Sequence, residues 1–200
     1  EVMVEGPEER LRQTEYAQPA IVIHSLTVFM LLSDAGMQPD AVAGHSLGEY
    51  TALAAAGAIE AVDVVGLVRV RGELMGKAGQ EQPGTMAAII GLDEEKLRCA
   101  IANVSGTVVI ANYNCPGQLV ISGEVEAVRR ASAAAKDLGA KAVIPLRVSG
   151  AFHSPLMKPI AEEFARYLER VPLKDAQVPV YCNVDAKPHQ AAEELRECLR

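Results

Sequence analysis

The sequence predicts an α/β fold in two parts, and three observations carry that expectation. A short apolar run at 41–43 leads into Gly44-His45-Ser46-Leu47-Gly48 and then into an alanine-rich helix signal, so strand, sharp turn and helix follow one another. Between 79 and 149 the pattern becomes strand, helix, two strands, helix, strand, which is the order of a ferredoxin-like module inserted in a larger α/β domain. Residues are 50% hydrophobic, with no Trp and few aromatics, a composition suited to close-packed helix and sheet layers.

Taken in order, Pro19 suits a first helical turn, and Ile21, Val22, Leu26, Phe29, Met30 and Ala35 follow at helical spacing before Gly36 ends the element. Residues 41–44 read as a short buried strand and 47–56 as a helix ending at Gly57, with Ala52, Ala54, Ala55 and Ala56 admitting a close neighbour. A longer helix is expected over 61–78, with a loop over 79–84. In the inserted module, strands are expected over 85–91, 108–111, 119–122 and 142–146. Its helices are placed over 93–102, capped by Asp93, and over 125–138. The turn Asn114-Cys115-Pro116-Gly117 joins the two central strands. A helix over 156–168 and a strand over 178–183 return to the main sheet. The expected division is therefore 1–78 with 150–200 as the large part and 79–149 as the small one.

The formal charge of −7 argues against nucleic acid as the main partner. The apolar run at 20–32 is interrupted by His24 and Ser25 and is shorter than a bilayer span requires, so no membrane partner is expected. No signal peptide is visible, and the chain begins at Glu1 rather than Met. Cys99, Cys115, Cys182 and Cys198 show no C-x-x-C pairing and no histidine at zinc spacing. They read as scattered reduced thiols of a cytoplasmic protein, with no metal site expected.

The chemistry centres on Ser46. In a G-x-S-x-G turn the glycines relieve a backbone that a Cβ would obstruct, and the hydroxyl is pushed into a cleft beside a helix N-terminus that favours an oxyanion. An ordinary serine cap on a helix is the bland alternative. Of the four histidines, His24 falls within an amphipathic helix, His45 adjoins the serine at a sharp turn, and His189 sits in a polar loop where solvation is expected. His153 lies just past a strand end where the inserted module returns to the main domain, which makes it the candidate general base. No acid between Ser46 and His153 suits the orienting role of a hydrolase triad, since Asp93 reads as a cap and Glu73, Glu124 and Asp137 as solvated. On the helix 61–78, Val64, Leu67, Val68, Met75 and Ala78 form one apolar stripe with Arg71 in its middle, while Arg69 points outward beside Glu73. A guanidinium aimed inward requires an anion: either a protein carboxylate or the carboxylate of a ligand.

Five segments in series then carry a resemblance: Gly44-His45-Ser46-Leu47-Gly48-Glu49-Tyr50, Val70-Arg71-Gly72-Glu73-Leu74-Met75, Gly84-Thr85-Met86-Ala87-Ala88, Asn112-Tyr113-Asn114-Cys115-Pro116-Gly117-Gln118 and Gly150-Ala151-Phe152-His153-Ser154. The chain resembles the malonyl-CoA:acyl carrier protein transacylase family over nearly its whole length. The resemblance implies a hydrolase-like α/β core with a ferredoxin-like insert, Ser46 as nucleophile, His153 as base and Arg71 as the clamp on a malonate carboxylate. It also implies Leu47 as an oxyanion donor through its N–H, and Met75, Asn114 and Phe152 as pocket residues, with Phe152 crowding the α-carbon. The implied partners are malonyl-CoA and acyl carrier protein, and no metal or redox cofactor is implied; a monomer is the default expectation, and Lys141, Arg147 and Lys158 are candidate carrier contacts. The family's opening strand would precede Glu1, and the glutamine that orients its histidine would follow Arg200, so the resemblance implies a chain shortened at both ends. The rival readings are a polyketide synthase-type acyltransferase, a serine esterase or thioesterase on the same turn, and a non-catalytic module that binds the carrier protein.

Overall fold

The computed structural model describes residues 2–148 and 150–200. Glu1 and Ser149, the latter closing the expected insert, lie outside the described residues. The chain opens with the short helices α1 (Val2–Glu5) and α2 (Glu8–Leu11), followed by α3 (Thr14–Asp34), β1 (Val42–Ala43), α4 (Gly48–Ala55) and α5 (Ala61–Glu81). Next come β2 (Gly84–Ile90), α6 (Glu94–Ala102), β3 (Val108–Cys115), β4 (Gln118–Glu124), α7 (Val125–Asp137) and β5 (Ala142–Pro145). A 3₁₀ turn (Pro155–Met157) leads to α8 (Lys158–Leu168), β6 (Val180–Tyr181), β7 (Pro188–His189) and α9 (Ala192–Cys198). Contacts divide the chain into two compact units, residues 1–74 with 161–200, and residues 75–160.

In the first unit β6 is the central strand: it pairs parallel with β1 and antiparallel with β7. Val22, Leu53, Val64, Val68, Leu168, Val180 and Leu195 are fully buried around these strands and form one apolar cluster. α3 departs from expectation in two ways. It starts at Thr14, so Pro19 stands inside the helix rather than in its first turn, and the amide that would bond to the Glu15 carbonyl is missing. Its apolar residues are not all core: Val22 and Leu26 are buried, whereas Ile21, Met30, Leu31 and Leu32 are exposed. At 21 residues α3 is long and apolar enough to cross a membrane by length and composition, a length the interrupted run at 20–32 did not reveal.

The second unit is a four-stranded antiparallel sheet in the order β3-β4-β2-β5. Alternation along β2 explains its two faces. Ala87 and Ile89 join Leu97, Ile121, Val128 and Ala131 in a core with α6 and α7, while Met86 and Ala88 face the other way with Val120, Leu146 and Phe152. Asp93 caps α6 as expected, its carboxylate accepting the Lys96 N–H at 2.9 Å. β3 and β4 run further than the pattern suggested because two register shifts in β3 carry the pairing out to Cys115 and Gln118. α5 continues past 78 to Glu81, since Gly79 weakens a helix by only about 1 kcal/mol and does not stop it. Conversely, the segment read as a strand over 178–183 pairs only at Val180 and Tyr181.

Candidate active site

The turn after β1 is built as the motif suggests. Ser46 has φ 49°, the left-handed region that a non-glycine residue occupies only when its surroundings enforce it. Gly44 is obligatory, because a Cβ there would lie 1.9 Å from the Gly48 carbonyl carbon. Gly48 is different: a Cβ on it meets nothing within 4 Å, so the second glycine of the motif is not demanded by packing. Leu47 rather than Ser46 is the N-cap of α4, and the Leu47 N–H has no acceptor among the described residues.

Two residues that sequence reasoning missed hold this turn. The Asn183 side chain, just past β6, accepts the Ser46 N–H at 2.9 Å and donates to the Gly44 carbonyl at 2.7 Å. Its amide group also donates to Glu49 Oε2 at 2.5 Å, and its backbone N–H to Glu49 Oε1 at 3.2 Å. Glu49 is buried at 6% exposure, and this desolvation raises its pKa against the lowering effect of the Asn183 hydrogen bonds. The parallel pairing of β1 with β6 brings Asn183 beside the turn, a neighbourhood the sequence separation conceals.

Arg71 points to the serine. Its Nη2 donates to Ser46 Oγ at 3.0 Å and its Nη1 to Gln18 Oε1 at 2.7 Å. Gln18 is buried and donates in turn to Thr14 Oγ1 at 2.8 Å. The guanidinium carbon stands 5.6 Å from the ring centre of Tyr50, whose hydroxyl pKa burial pushes up to about 12. Among the described residues no carboxylate lies within ion-pair distance of Arg71, so the structural salt bridge weighed from spacing is not what forms. Arg69 makes the expected surface pair, Nε to Glu73 Oε1 at 2.9 Å. Gln18 was missed because nothing near position 18 signals a buried amide.

The remaining candidates belong to the second unit. His153 is exposed and has φ 59°, again left-handed. It sits between Phe152, packed against Met86, Ala88 and Val120, and Ser154, whose hydroxyl donates to the Ala151 carbonyl at 2.6 Å and accepts the Leu156 N–H at 3.3 Å. The residue is thus held on both sides by ordered neighbours. Asn114 is exposed near the end of β3 and donates to Gln118 Oε1 at 3.2 Å. Met75 is half-buried on α5. His189 corrects the expectation of a solvated loop: it is half-buried, with Nε2 3.0 Å from Asp185 Oδ2 and Nδ1 3.3 Å from Glu194 Oε2. An open depression of about 330 Å³ lies against the turn, lined by Ala43, Gly44, His45, Tyr181, Cys182, Asn183 and Ala186; neither Ser46 nor Arg71 lines it.

The site therefore joins a strained serine ahead of a helix to a guanidinium that donates to its hydroxyl. The sequence pattern of the acyl transferase domain family matches residues 1–199, and the chain belongs to that family. It is 47% identical to the malonyl CoA-acyl carrier protein transacylase of Bacillus subtilis (strain 168), covering 99% of this chain and 63% of the relative. It is 42% identical to the protein of the same name from Escherichia coli (strain K12), over 98% of this chain and 64% of the relative. Among solved structures it is similar to an acyl carrier protein S-malonyltransferase from Vibrio cholerae, at 40% identity and a TM-score of 0.92, covering 98% of this chain and 65% of that one. A malonyl-transacylase solved in complex with a type II PKS acyl-carrier protein gives 44% identity and a TM-score of 0.95, over 99% and 65%. The chain therefore spans less than two thirds of the length of these relatives.

Proposed function

We propose that the chain transfers a malonyl group from malonyl-CoA to the phosphopantetheine thiol of acyl carrier protein through a malonyl-Ser46 ester. The observation that carries this reading is the Arg71–Ser46 contact at 3.0 Å, made by a guanidinium with no carboxylate partner among the described residues. A cation so placed suits a substrate that brings its own carboxylate to the nucleophile.

In the proposed first half-reaction Ser46 Oγ attacks the thioester carbonyl while His153 takes its proton. The carbonyl oxygen becomes an oxyanion received by the Leu47 N–H, at the N-terminus of α4. Collapse breaks the C–S bond and the leaving thiolate collects the proton from His153. The second half-reaction runs in reverse: His153 deprotonates the carrier's thiol, the thiolate attacks the ester carbonyl, and collapse breaks the C–Oγ bond as Ser46 Oγ takes the proton back from His153. Arg71 holds the malonate carboxylate throughout, and Met75, Asn114 and Phe152 shape the pocket. The exposed Lys141, Arg147 and Lys158 are the proposed carrier contacts. No step calls on a metal or redox group. The parallel β1–β6 pair feeding the turn fits a hydrolase-like core, and the order β3-β4-β2-β5 with two helices on one face fits a ferredoxin-like subdomain over about 79–149. We place the protein in the cytoplasm as a soluble monomer. The chemistry is the same whether the carrier serves fatty acid or polyketide assembly.

Arg71→Ala tests the reading. Loss of a charge-assisted hydrogen-bond pair costs roughly 3 kcal/mol, so malonyl transfer should fall about 100-fold while acetyl transfer changes only a few-fold. Equal losses for both donors would remove the carboxylate role.

A further inference from the structure

We infer that Cys182, His189 and Cys198 form a binding site for a thiolate-preferring divalent cation, with zinc the best match. Their ligand atoms all lie within 4.8 Å of one another. The three residues come from three element ends. Cys182 is the buried residue after β6, His189 closes β7, and Cys198 closes α9. Pairing of Val180 with His189, and the Cys182 N–H bond to the Lys187 carbonyl at 3.1 Å, fold the β6–β7 hairpin so that the first two meet. α9 then returns Cys198 to the same place.

The chemistry of the set is selective. A tetrahedral zinc with bonds of about 2.3 Å to sulfur and about 2.0 Å to nitrogen spaces its ligand atoms about 3.5–3.8 Å apart, so closure asks for side-chain shifts of about 1 Å. Two sulfurs and an imidazole favour zinc over magnesium or calcium. His189 is also prepared for the role. With carboxylates of Asp185 and Glu194 at its two ring nitrogens, one nitrogen can face the metal while the other donates to a carboxylate, the partner that fixes ring and tautomer in zinc-binding histidines. The carboxylate displaced from the metal-facing nitrogen becomes the fourth ligand. The bound ion would fasten α9 to the strand end that carries Asn183, and through Asn183 to the turn at Ser46.

The test is titration of the reduced, metal-free protein with Co²⁺, followed by displacement with Zn²⁺, under nitrogen. We expect one equivalent of cobalt, visible bands of tetrahedral geometry, a thiolate-to-cobalt charge-transfer band, and loss of all three on adding zinc. Cys198→Ser and His189→Gln should each weaken binding at least tenfold with unchanged far-ultraviolet circular dichroism, while Cys115→Ser leaves it intact. His189→Gln keeps the test decisive if Cys198→Ser does not fold. Absence of the charge-transfer band, or equal affinity in His189→Gln and the parent, overturns the site.

Discussion

Glu49 is a buried carboxyl whose ionisation should be visible in stability. It lies buried beneath the turn, bonded twice to Asn183, and burial raises its pKa above the ordinary carboxylate value of 4.5. The folded state therefore binds this proton more tightly than the unfolded chain does. Its favourable contribution is complete below about pH 4.5 and is lost as pH rises through the raised folded value. Glu49→Gln removes the titration, so the stability of the variant should lack that downward step on chemical denaturation between acidic and neutral pH. An identical pH profile in the variant and parent would show that Glu49 is not the group responsible. Arg71 has a different balance: two neutral acceptors and an aromatic face hold it without cancelling its charge.

At the scale of elements, the turn between β1 and α4 is tightly constrained by the close approach at Gly44 and the left-handed Ser46. Gly44→Ala should cost roughly 3 kcal/mol or more, since the added methyl would overlap backbone of the next turn. Gly48→Ala, with open space around its Cβ, should stay within about 1 kcal/mol. Denaturant midpoints of the two variants check this asymmetry, and comparable losses would contradict it. The turn was legible in the sequence because its signals are local: glycine, a strand before and a helix after. Arg71 was legible because a cation breaks an apolar stripe. Gln18 and Asn183 were not, because their importance arises only when α3 and β6 pack beside the turn. The start of α3 and the end of α5 were misjudged for a related reason, since Pro19 and Gly79 are penalties that packing overrides rather than absolute stops. The cysteines read as scattered because their spacing matches no local metal motif, and only the β6–β7 hairpin with α9 brings two of them to one histidine.

For the whole molecule, each unit has its own apolar core, and the proposed machinery is shared between their sequences: Ser46, Leu47 and Arg71 in the first, Met75, Asn114, Phe152 and His153 in the second. The exposed apolar residues of α3, Ile21, Met30, Leu31 and Leu32 among them, set this helix apart from the buried α4. Membership of the acyl transferase domain family and the strained serine ahead of α4 together make one proposed event central, the formation of an acyl-serine. Brief exposure of the protein to malonyl-CoA, followed by intact mass and peptide mapping, reads that event directly. The account predicts a single malonyl adduct on the peptide carrying Ser46, absent in Ser46→Ala. An adduct that persists in Ser46→Ala, or that maps to another residue, would contradict it.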